Sequence, residues 1–523
     1  MNTPALHPAV VEALARPFGT LDAMVRLQAQ LQPAQPALHL DGRALTYADF
    51  DRGIDRVAAA LQREGLQPRD VVAISATTSF AYATVFFGAL RAGLAVAPLA
   101  PDMLPANLAT MVADAGAKLL FLDRGVAQHL AGVAGRIAVP RVALDDGEGG
   151  QPLSDWLAPE GALPAPVAVQ PDWTFSLIYS SGTTGLPKGI AVPHAYRWSA
   201  LQMFQALGYT PRSVVMVSIP LYSNMTLSSF LPSLAMGCQL VLMARFDAGR
   251  WLELAEHHRV THSMLVPVQY QRLLAHPDFD RRDLSAFQVK SCGSAPFAAS
   301  VKAEAVRRWP GELIEYYGMT EGGAVCTLDT RRFPHKLHTV GRPVPGHEIR
   351  VIDDEGRELP AGSVGELVGR SGLMMTGYHN LPEKTREAEW FDAEGRRYIR
   401  TGDVGRLDED GFLVLMDRKK DMLISGGFSV YPSDLEAVLV QHPAVAEAAV
   451  VGVPSERWGE SPVAFVVPRE GAAVTEAELM AWLNGRVNKP QRLVGLRYER
   501  TLPRSEIGKV LKRELRQRWL AGG

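Results

Sequence analysis

Tyr179-Ser-Ser-Gly-Thr-Thr-Gly-Leu-Pro-Lys188-Gly189 follows directly on an apolar run, Phe175-Ser-Leu-Ile-Tyr179. A strand that empties into consecutive hydroxyls, glycines and a lysine makes a loop full of backbone and side-chain donors. Such a loop can wrap phosphate oxygens while Lys188 offsets their charge. It is not a Walker A loop, which needs Gly-Lys-Ser/Thr: here Pro187 precedes Lys188 and Gly189 follows it. Ser180, Ser181, Gly182, Thr183, Thr184, Gly185 and Lys188 are the candidate phosphate contacts.

On either side of this loop the texture is α/β. Apolar, β-branched runs at Val71–Ser75, Lys118–Leu122, Val214–Ile219, Gln239–Leu242 and Ser263–Val266 alternate with helical patterns such as Tyr47–Glu64 and Asn107–Ala115. That alternation predicts stacked layers with largely parallel sheets. From about Val340 short alternating strands and Asp-Gly turns take over (His347–Asp353, Val364–Gly369, Gly411–Met416), as in an antiparallel or barrel-like subdomain. After Arg418 a compact α+β region begins: strand Met422–Ile424, a helix from Ser433, strands Ala446–Val453 and Val463–Pro468, and a helix after Thr475. The natural cut falls near Asp417, giving a domain over 1–416 and a smaller one over 417–523.

Composition excludes several classes. A chain of 523 residues exceeds what one core usually serves. Lys and Arg number 54 against 56 Asp and Glu, so no overall field draws the protein to nucleic acid or an anionic membrane. Cys238, Cys292 and Cys326 show no CxxC spacing, which speaks against a disulfide framework or zinc site and suits a reducing cytosol. The N-terminus lacks the basic start and apolar core of a signal peptide, so a cytoplasmic location is expected. Residues Ser213 to Ala244 carry no charge, yet Pro220, Pro232 and scattered hydroxyls interrupt any greasy face. A buried strand, polar loop, helix and second strand are expected there, not a membrane span. No heptad or dominant apolar patch decides between monomer and homodimer.

The loop resembles the phosphate loop of the adenylate-forming superfamily: acyl-CoA synthetases, aryl-CoA ligases, luciferases and peptide-synthetase adenylation domains. Further signatures follow in that family's order along nearly the whole chain. Tyr316-Tyr-Gly-Met-Thr-Glu321 is similar to its aromatic-Gly-x-Thr-Glu element, and Ser291-Cys-Gly-Ser-Ala-Pro296 to the turn on the other face of adenine. The resemblance implies that Gly293, Ser294, Ala295, Tyr316, Tyr317, Gly318, Met319 and Thr320 surround the nucleotide, with Glu321 holding Mg²⁺ through hard oxygens. Tyr398-Ile-Arg-Thr-Gly-Asp403 resembles the element whose carboxylate takes two ribose hydroxyls, and in Asp417-Arg418-Lys-Lys-Asp421 the hinge falls on Asp417 and a ribose contact on Arg418. Pro503-Arg-Ser-Glu-Ile-Gly-Lys509 resembles the loop of the catalytic lysine, a cation that would stabilise the transition state between two anions. The implied catalytic set is Lys509, Thr184, Glu321 and Lys188. Ser425-Gly426-Gly427-Phe428-Ser429 matches the turn beside a pantetheine tunnel, where glycine permits close backbone approach.

The family fold, a large N-terminal domain and a small mobile C-terminal lid, agrees with the cut at Asp417. The implied reaction joins a carboxylic acid to coenzyme A through an acyl-adenylate, with ATP, Mg²⁺ and CoA as cofactors and AMP and pyrophosphate as products. Gly426, Gly427 and the absence of a carrier-protein module after Lys509 point to CoA rather than a carrier thiol. By matched position Tyr222, Ser223, Ser229, Ser294, Tyr316, Ala324 and Val325 wall the acid pocket. Ser223 replaces the usual histidine, and Tyr316 stands where 4-coumarate–CoA ligases carry glycine. A ring there shortens the slot and favours an aromatic, phenylpropenoid (benzoate- or cinnamate-like) or medium-chain acid. The alternatives are a long-chain fatty acid–CoA ligase or an enzyme that loads a carrier protein. A non-catalytic nucleotide sensor is disfavoured by intact Lys188, Glu321, Asp403, Arg418 and Lys509.

Overall fold

The computed structural model describes residues 6–179, 188–419, 421–425, 428–505 and 508–522. Runs apolar on both faces become strands of helix-covered sheets, because such strands leave no side to water. Val71–Ser75 and Gln239–Leu242 form as expected, and the strand read from Lys118 starts one residue earlier, at Ala117–Leu122. The uncharged stretch resolves into strand Val214–Val217, a polar loop, helix Asn224–Ala235 and strand Gln239–Leu242. No described helix is long and apolar enough to cross a membrane.

The chain divides into two compact units: Met1–Leu337 with Val344–Glu348 and Arg370–Ile399, and His338–Pro343 with Ile349–Gly369 and Arg400–Gly523. The first holds two sheets. One orders Gly377–Tyr378, Gly189–Pro193, Thr174–Tyr179, Ala95–Pro98, Val71–Ser75, Ala117–Leu122, Arg141–Ala143 and Gln151–Pro152. Its strands are parallel except at the site end, where Gly189–Pro193 runs antiparallel to both its neighbours. The other sheet is parallel through Gln239–Leu242, Val214–Val217, His262–Leu265, Val289–Cys292 and Glu312–Tyr317, then turns antiparallel at Cys326–Asp329.

Aromatic packing locks the elements of this unit together. Phe87 meets Phe50 at 5.6 Å and Phe230 at 6.2 Å, while Phe86 meets Phe175 at 5.9 Å. Strand Thr174–Tyr179 and helix Asn224–Ala235 are thereby fixed through helix Phe80–Arg91. The far end of helix Asn224–Ala235 is pinned by polar bonds: Gln28 donates to the Ala235 carbonyl at 2.8 Å and Tyr47 to that of Leu234 at 3.1 Å. Both donors are buried, where an unmade bond would cost about 1–3 kcal/mol.

In the second unit, segments 349–352, 365–369 and 400–407 form a small sheet extended by Leu413–Arg418. The C-terminal sheet orders Phe428–Val430, Leu423–Ser425, Gly459–Pro468 and Val445–Ser455, with Gly495–Tyr498 also on Gly459–Pro468. Helices Pro432–Leu439, Glu476–Asn484 and Lys512–Ala521 accompany it. The helix expected after Thr475 begins there because Thr475 and Glu478 form a reciprocal capping box, with bonds of 3.2 and 2.9 Å.

Candidate active site

Strand Thr174–Tyr179 delivers the chain into the phosphate-loop sequence, and Gly189–Pro193 returns beside it with Tyr179 opposite Gly189. A Cβ at 189 would press on the Tyr179 ring at 3.2 Å and on the His379 side chain at 3.3 Å, so the strand passes close to both. Ser180, Ser181, Gly182, Thr183, Thr184 and Gly185 lie outside the described residues, as do Gly426 and Gly427. Lys188 is described, immediately before the returning strand. Tyr378, paired with Ile190, lies alongside it. The Lys188 ammonium sits 5.0 Å over the Tyr378 ring, an attractive position for a cation.

The Tyr378 hydroxyl donates to Glu321 Oε1 at 2.9 Å. Lys188 and Glu321, distant in sequence, are thus brought together through a tyrosine that sequence reading missed. Tyr378 belongs to no loop signature; only the pairing of a two-residue strand, Gly377–Tyr378, places it. Glu321 is held by backbone as well. Met375 N donates to its carbonyl at 2.9 Å, and Gly322 next to it (φ 82°) crosses Leu373 so closely that a Cβ would lie 1.9 Å from the Leu373 carbonyl oxygen. No residue but glycine fits at 322.

The turn after strand Val289–Cys292 carries Gly293, Ser294 and Ala295. Ser294 adopts φ 71°, a left-handed conformation costly for a non-glycine residue. Its hydroxyl donates to Met225 Sδ at 2.7 Å. A Cβ on Gly293 would meet the Tyr316 carbonyl oxygen at 3.0 Å, so the turn packs against the start of the Tyr316–Glu321 element. Tyr316 and Tyr317 pair with Thr327 and Cys326 across the antiparallel edge, ahead of Gly318, Met319 and Thr320.

Tyr316 stacks on Phe204, with centroids 5.7 Å apart and planes at 13°. Phe204 is buried, and burial pushes the Tyr316 hydroxyl above its ordinary pKa. Behind the stack Tyr209 lies near the Ser233 and Ser229 hydroxyls and packs on His262 at 4.7 Å. Ser229, Ser294 and Tyr316 therefore converge, joined by Met225, Phe204 and Tyr209, which carry no sequence signal beyond apolar character. Val325 packs near Gly318, 3.5 Å from where a Cβ there would sit, and its amide donates to His347 Nδ1 at 2.9 Å. Ala324 beside it is buried. Ser223 is buried at the start of helix Asn224–Ala235 without bonding the helix end through its side chain. Tyr222 faces a different neighbourhood: burial, then the Asp102 charge, raise its phenol, and it acts in turn on Tyr82.

Beneath the returning strand, helix His194–Phe204 buries a histidine and an arginine. Burial, then the charge of Arg197, pulls His194 down to about 4, so its ring is neutral near pH 7. Arg197 donates from Nη2 to Asn224 Oδ1 at 2.7 Å, and burial lowers it to about 10.

In the second unit, Asp403 stands opposite Arg418 in the ladder, and their side chains pair at 3.0 Å (Nε to Oδ1). Asp417 accepts from the Arg418 amide at 2.8 Å and from the Ser433 amide at 2.9 Å. One carboxylate thus ties the end of strand Leu413–Arg418 to the first turn of helix Pro432–Leu439, where orphan amides favour an anion. Lys509 lies in a tight hairpin: its amide donates to Ser505 Oγ at 3.2 Å and its carbonyl accepts from Ser505 N at 2.8 Å. Gly508 (φ 78°) supplies the reversal, and Arg504 bonds the Gly508 carbonyl at 2.7 Å and Glu447 at 2.7 Å.

Comparison with known proteins is consistent along the chain. Residues 25–379 match the AMP-binding enzyme family and residues 434–509 the AMP-binding enzyme C-terminal domain. The chain is 32% identical over 510 residues to the fatty acid–[acyl-carrier-protein] ligase ScoC of Streptomyces coeruleorubidus, covering 96% of each. It is 33% identical over 500 residues to a feruloyl-CoA synthase of an Amycolatopsis species, covering 94% of this chain and 97% of that one. The crystal structure of ATP-bound MatB from Rhodopseudomonas palustris superposes with a TM-score of 0.85 at 30% identity, covering 96% of this chain and 99% of that one. Matches of this extent and identity show the family, and the chain belongs to the AMP-binding enzyme family of adenylate-forming, AMP-forming acid–thiol ligases.

Proposed function

We propose that this enzyme ligates a compact acid, aromatic or phenylpropenoid before medium-chain, to coenzyme A through an acyl-adenylate. The observation that carries the choice of acid is the Tyr316–Phe204 stack at 5.7 Å. A ring backed by a buried second ring cannot swing aside without losing packing, so it bounds a short slot better suited to a flat acid than to a long chain. The likeness to a feruloyl-CoA synthase supports the same reading.

In the first half-reaction a carboxylate oxygen attacks the α-phosphorus, the bond to the bridging oxygen breaks, and pyrophosphate leaves. Lys188, steadied by Tyr378, would offset phosphate charge, and Thr184 and Thr320 would donate to phosphate oxygens. Lys509 would sit between the two anions and lower the barrier electrostatically. Asp403 is an acceptor matched to ribose hydroxyls, with Arg418 holding its carboxylate in place. Glu321 fits a hard divalent cation: it offers carboxylate oxygens, and Tyr378 engages Oε1. Glu321 would hold Mg²⁺ through its carboxylate oxygens. When bound, that ion neutralises phosphate charge.

In the second half-reaction the CoA sulfur attacks the acyl carbonyl, AMP departs, and the thiol proton passes to solvent. Reorientation of residues 417–523 about Asp417 would withdraw Lys509 and bring up the turn at Gly426 and Gly427.

One observation favours a second acceptor: the likeness to an acyl-carrier-protein ligase extends over 96% of this chain. AMP release measured across benzoic, cinnamic and straight-chain acids, with CoA or a phosphopantetheinylated carrier, decides between them. Turnover with CoA and flat acids is expected; turnover only with the carrier or with long chains contradicts the proposal.

A further inference from the structure

Asp114 ends helix Pro105–Asp114, half-buried. A carboxylate there faces the negative end of its own helix dipole, so the helix gives it no support. Its partner comes from another element: the Tyr179 hydroxyl donates to Asp114 Oδ2 at 2.6 Å. Burial, then that bond and the carboxylate charge, raise the phenol above its ordinary pKa, so it remains a donor at neutral pH.

Tyr179 ends its strand where the phosphate-loop sequence begins, opposite Gly189 in the ladder. With no side chain at 189, the Tyr179 ring lies close to that backbone, one residue from Lys188. The far side of the returning strand is tied to the same helix end. Asn380 donates from Nδ2 to the Asp114 carbonyl at 3.1 Å, which satisfies an orphan acceptor of the last helical turn. Asn380 does so from a left-handed conformation (φ 54°) that asparagine tolerates, two residues after Tyr378. Between them the His379 amide donates to the Gly189 carbonyl at 2.7 Å. The sheet places Gly189–Pro193 between Thr174–Tyr179 and Gly377–Tyr378. Asp114 therefore straddles the returning strand, bonded to the flank on one side by its carboxylate and to the flank on the other by its carbonyl.

We propose that Asp114 is a positioning residue for the nucleotide: by stapling the segments on both sides of Gly189 it holds Lys188 and Tyr378 in the arrangement that meets the phosphates of ATP. The proposal rests on reading Lys188 as a phosphate contact. Asp114 acts through Tyr179 and Asn380, not on the reacting atoms.

Four readings on the full chain separate positioning from support of the fold: KM for MgATP and for the acid in pyrophosphate exchange, thioester formation from supplied acyl-adenylate and CoA, and melting temperature. Tyr179→Phe removes the hydroxyl and keeps the ring beside Gly189. That variant and Asp114→Ala should each raise KM for MgATP about tenfold, as expected when a hydrogen bond to a charged group is lost. KM for the acid and the thioester rate should stay near those of the parent. The double variant should be no worse than either single one, because both remove the same bond. Asp114→Asn keeps an oxygen that accepts from Tyr179 and should restore most of the loss; with Tyr179→Phe it decides the matter if Asp114→Ala fails to fold. An unchanged KM for MgATP in Tyr179→Phe, beside a Lys188→Ala variant that raises it, overturns the staple alone. Losses in acid KM and thioester rate that keep step with ATP, with a lowered melting temperature, also overturn it. A Lys188→Ala variant with the parent's KM for MgATP overturns the phosphate reading and this proposal with it.

Discussion

Tyr378 donates a 2.9 Å hydrogen bond to Glu321 from a two-residue strand 57 positions later in the chain, and the same ring lies under the Lys188 ammonium at 5.0 Å. One side chain therefore organises a cation and an anion that both face the nucleotide in the proposed mechanism. Tyr378→Phe keeps the ring under Lys188 but removes the bond to Glu321. A hydrogen bond to a charged group contributes about 1.5–3 kcal/mol, so adenylation measured by pyrophosphate exchange should fall roughly tenfold or more. Tyr378→Leu, which loses both contacts, should fall further. Equal rates in parent and Tyr378→Phe would show that the bond does not orient Glu321.

The Tyr316–Phe204 stack bounds the acid. Tyr316→Gly should extend acceptance toward longer straight-chain acids, and Phe204→Ala should do so more weakly by freeing the Tyr316 ring to move. The check is AMP release over a graded series of acids with each variant. A substrate profile that does not change in Tyr316→Gly contradicts the assignment of this ring to the pocket wall.

His194 makes the protein sensitive to acid. Its folded-state value of about 4 lies below the ordinary 6.5, through burial and then the Arg197 charge. The fold thus favours the neutral ring: this contribution to stability is complete above pH 6.5 and is lost as pH falls toward 4. One such group accounts for about 3 kcal/mol across that window. Urea denaturation between pH 7 and pH 4 should show a shallower loss of stability in His194→Gln than in the parent. Parallel pH profiles would contradict a neutral buried ring.

Much of the fold was legible because apolar runs bounded by turns have few alternatives. Val71–Ser75 and Gln239–Leu242 were read to the residue, and helix Tyr47–Arg63 to within one. The site was legible only where local sequence carries chemistry, as at Lys188, Glu321 and the Asp403–Arg418 pair. Tyr378, Phe204 and Tyr209 were not, because each takes its contacts from a partner far along the chain. Phe204 meets Tyr316 and Tyr378 meets Glu321 through sheet and helix packing that leaves no spacing to read. Nothing local in the sequence announces a buried guanidinium beside Asn224.

The division of labour between the two half-reactions is tested most directly on Lys509, held in its hairpin by Ser505 and Gly508. The measurement is a pair of rates on Lys509→Ala: acyl-adenylate formation from acid and MgATP, and thioester formation from supplied acyl-adenylate and CoA. Adenylation should fall by several orders of magnitude, as expected when a charge-stabilising group leaves a phosphoryl-type transition state, while thioester formation stays near the parent rate. Equal loss of both rates, or adenylation that persists, would contradict a lysine that serves only the first half-reaction.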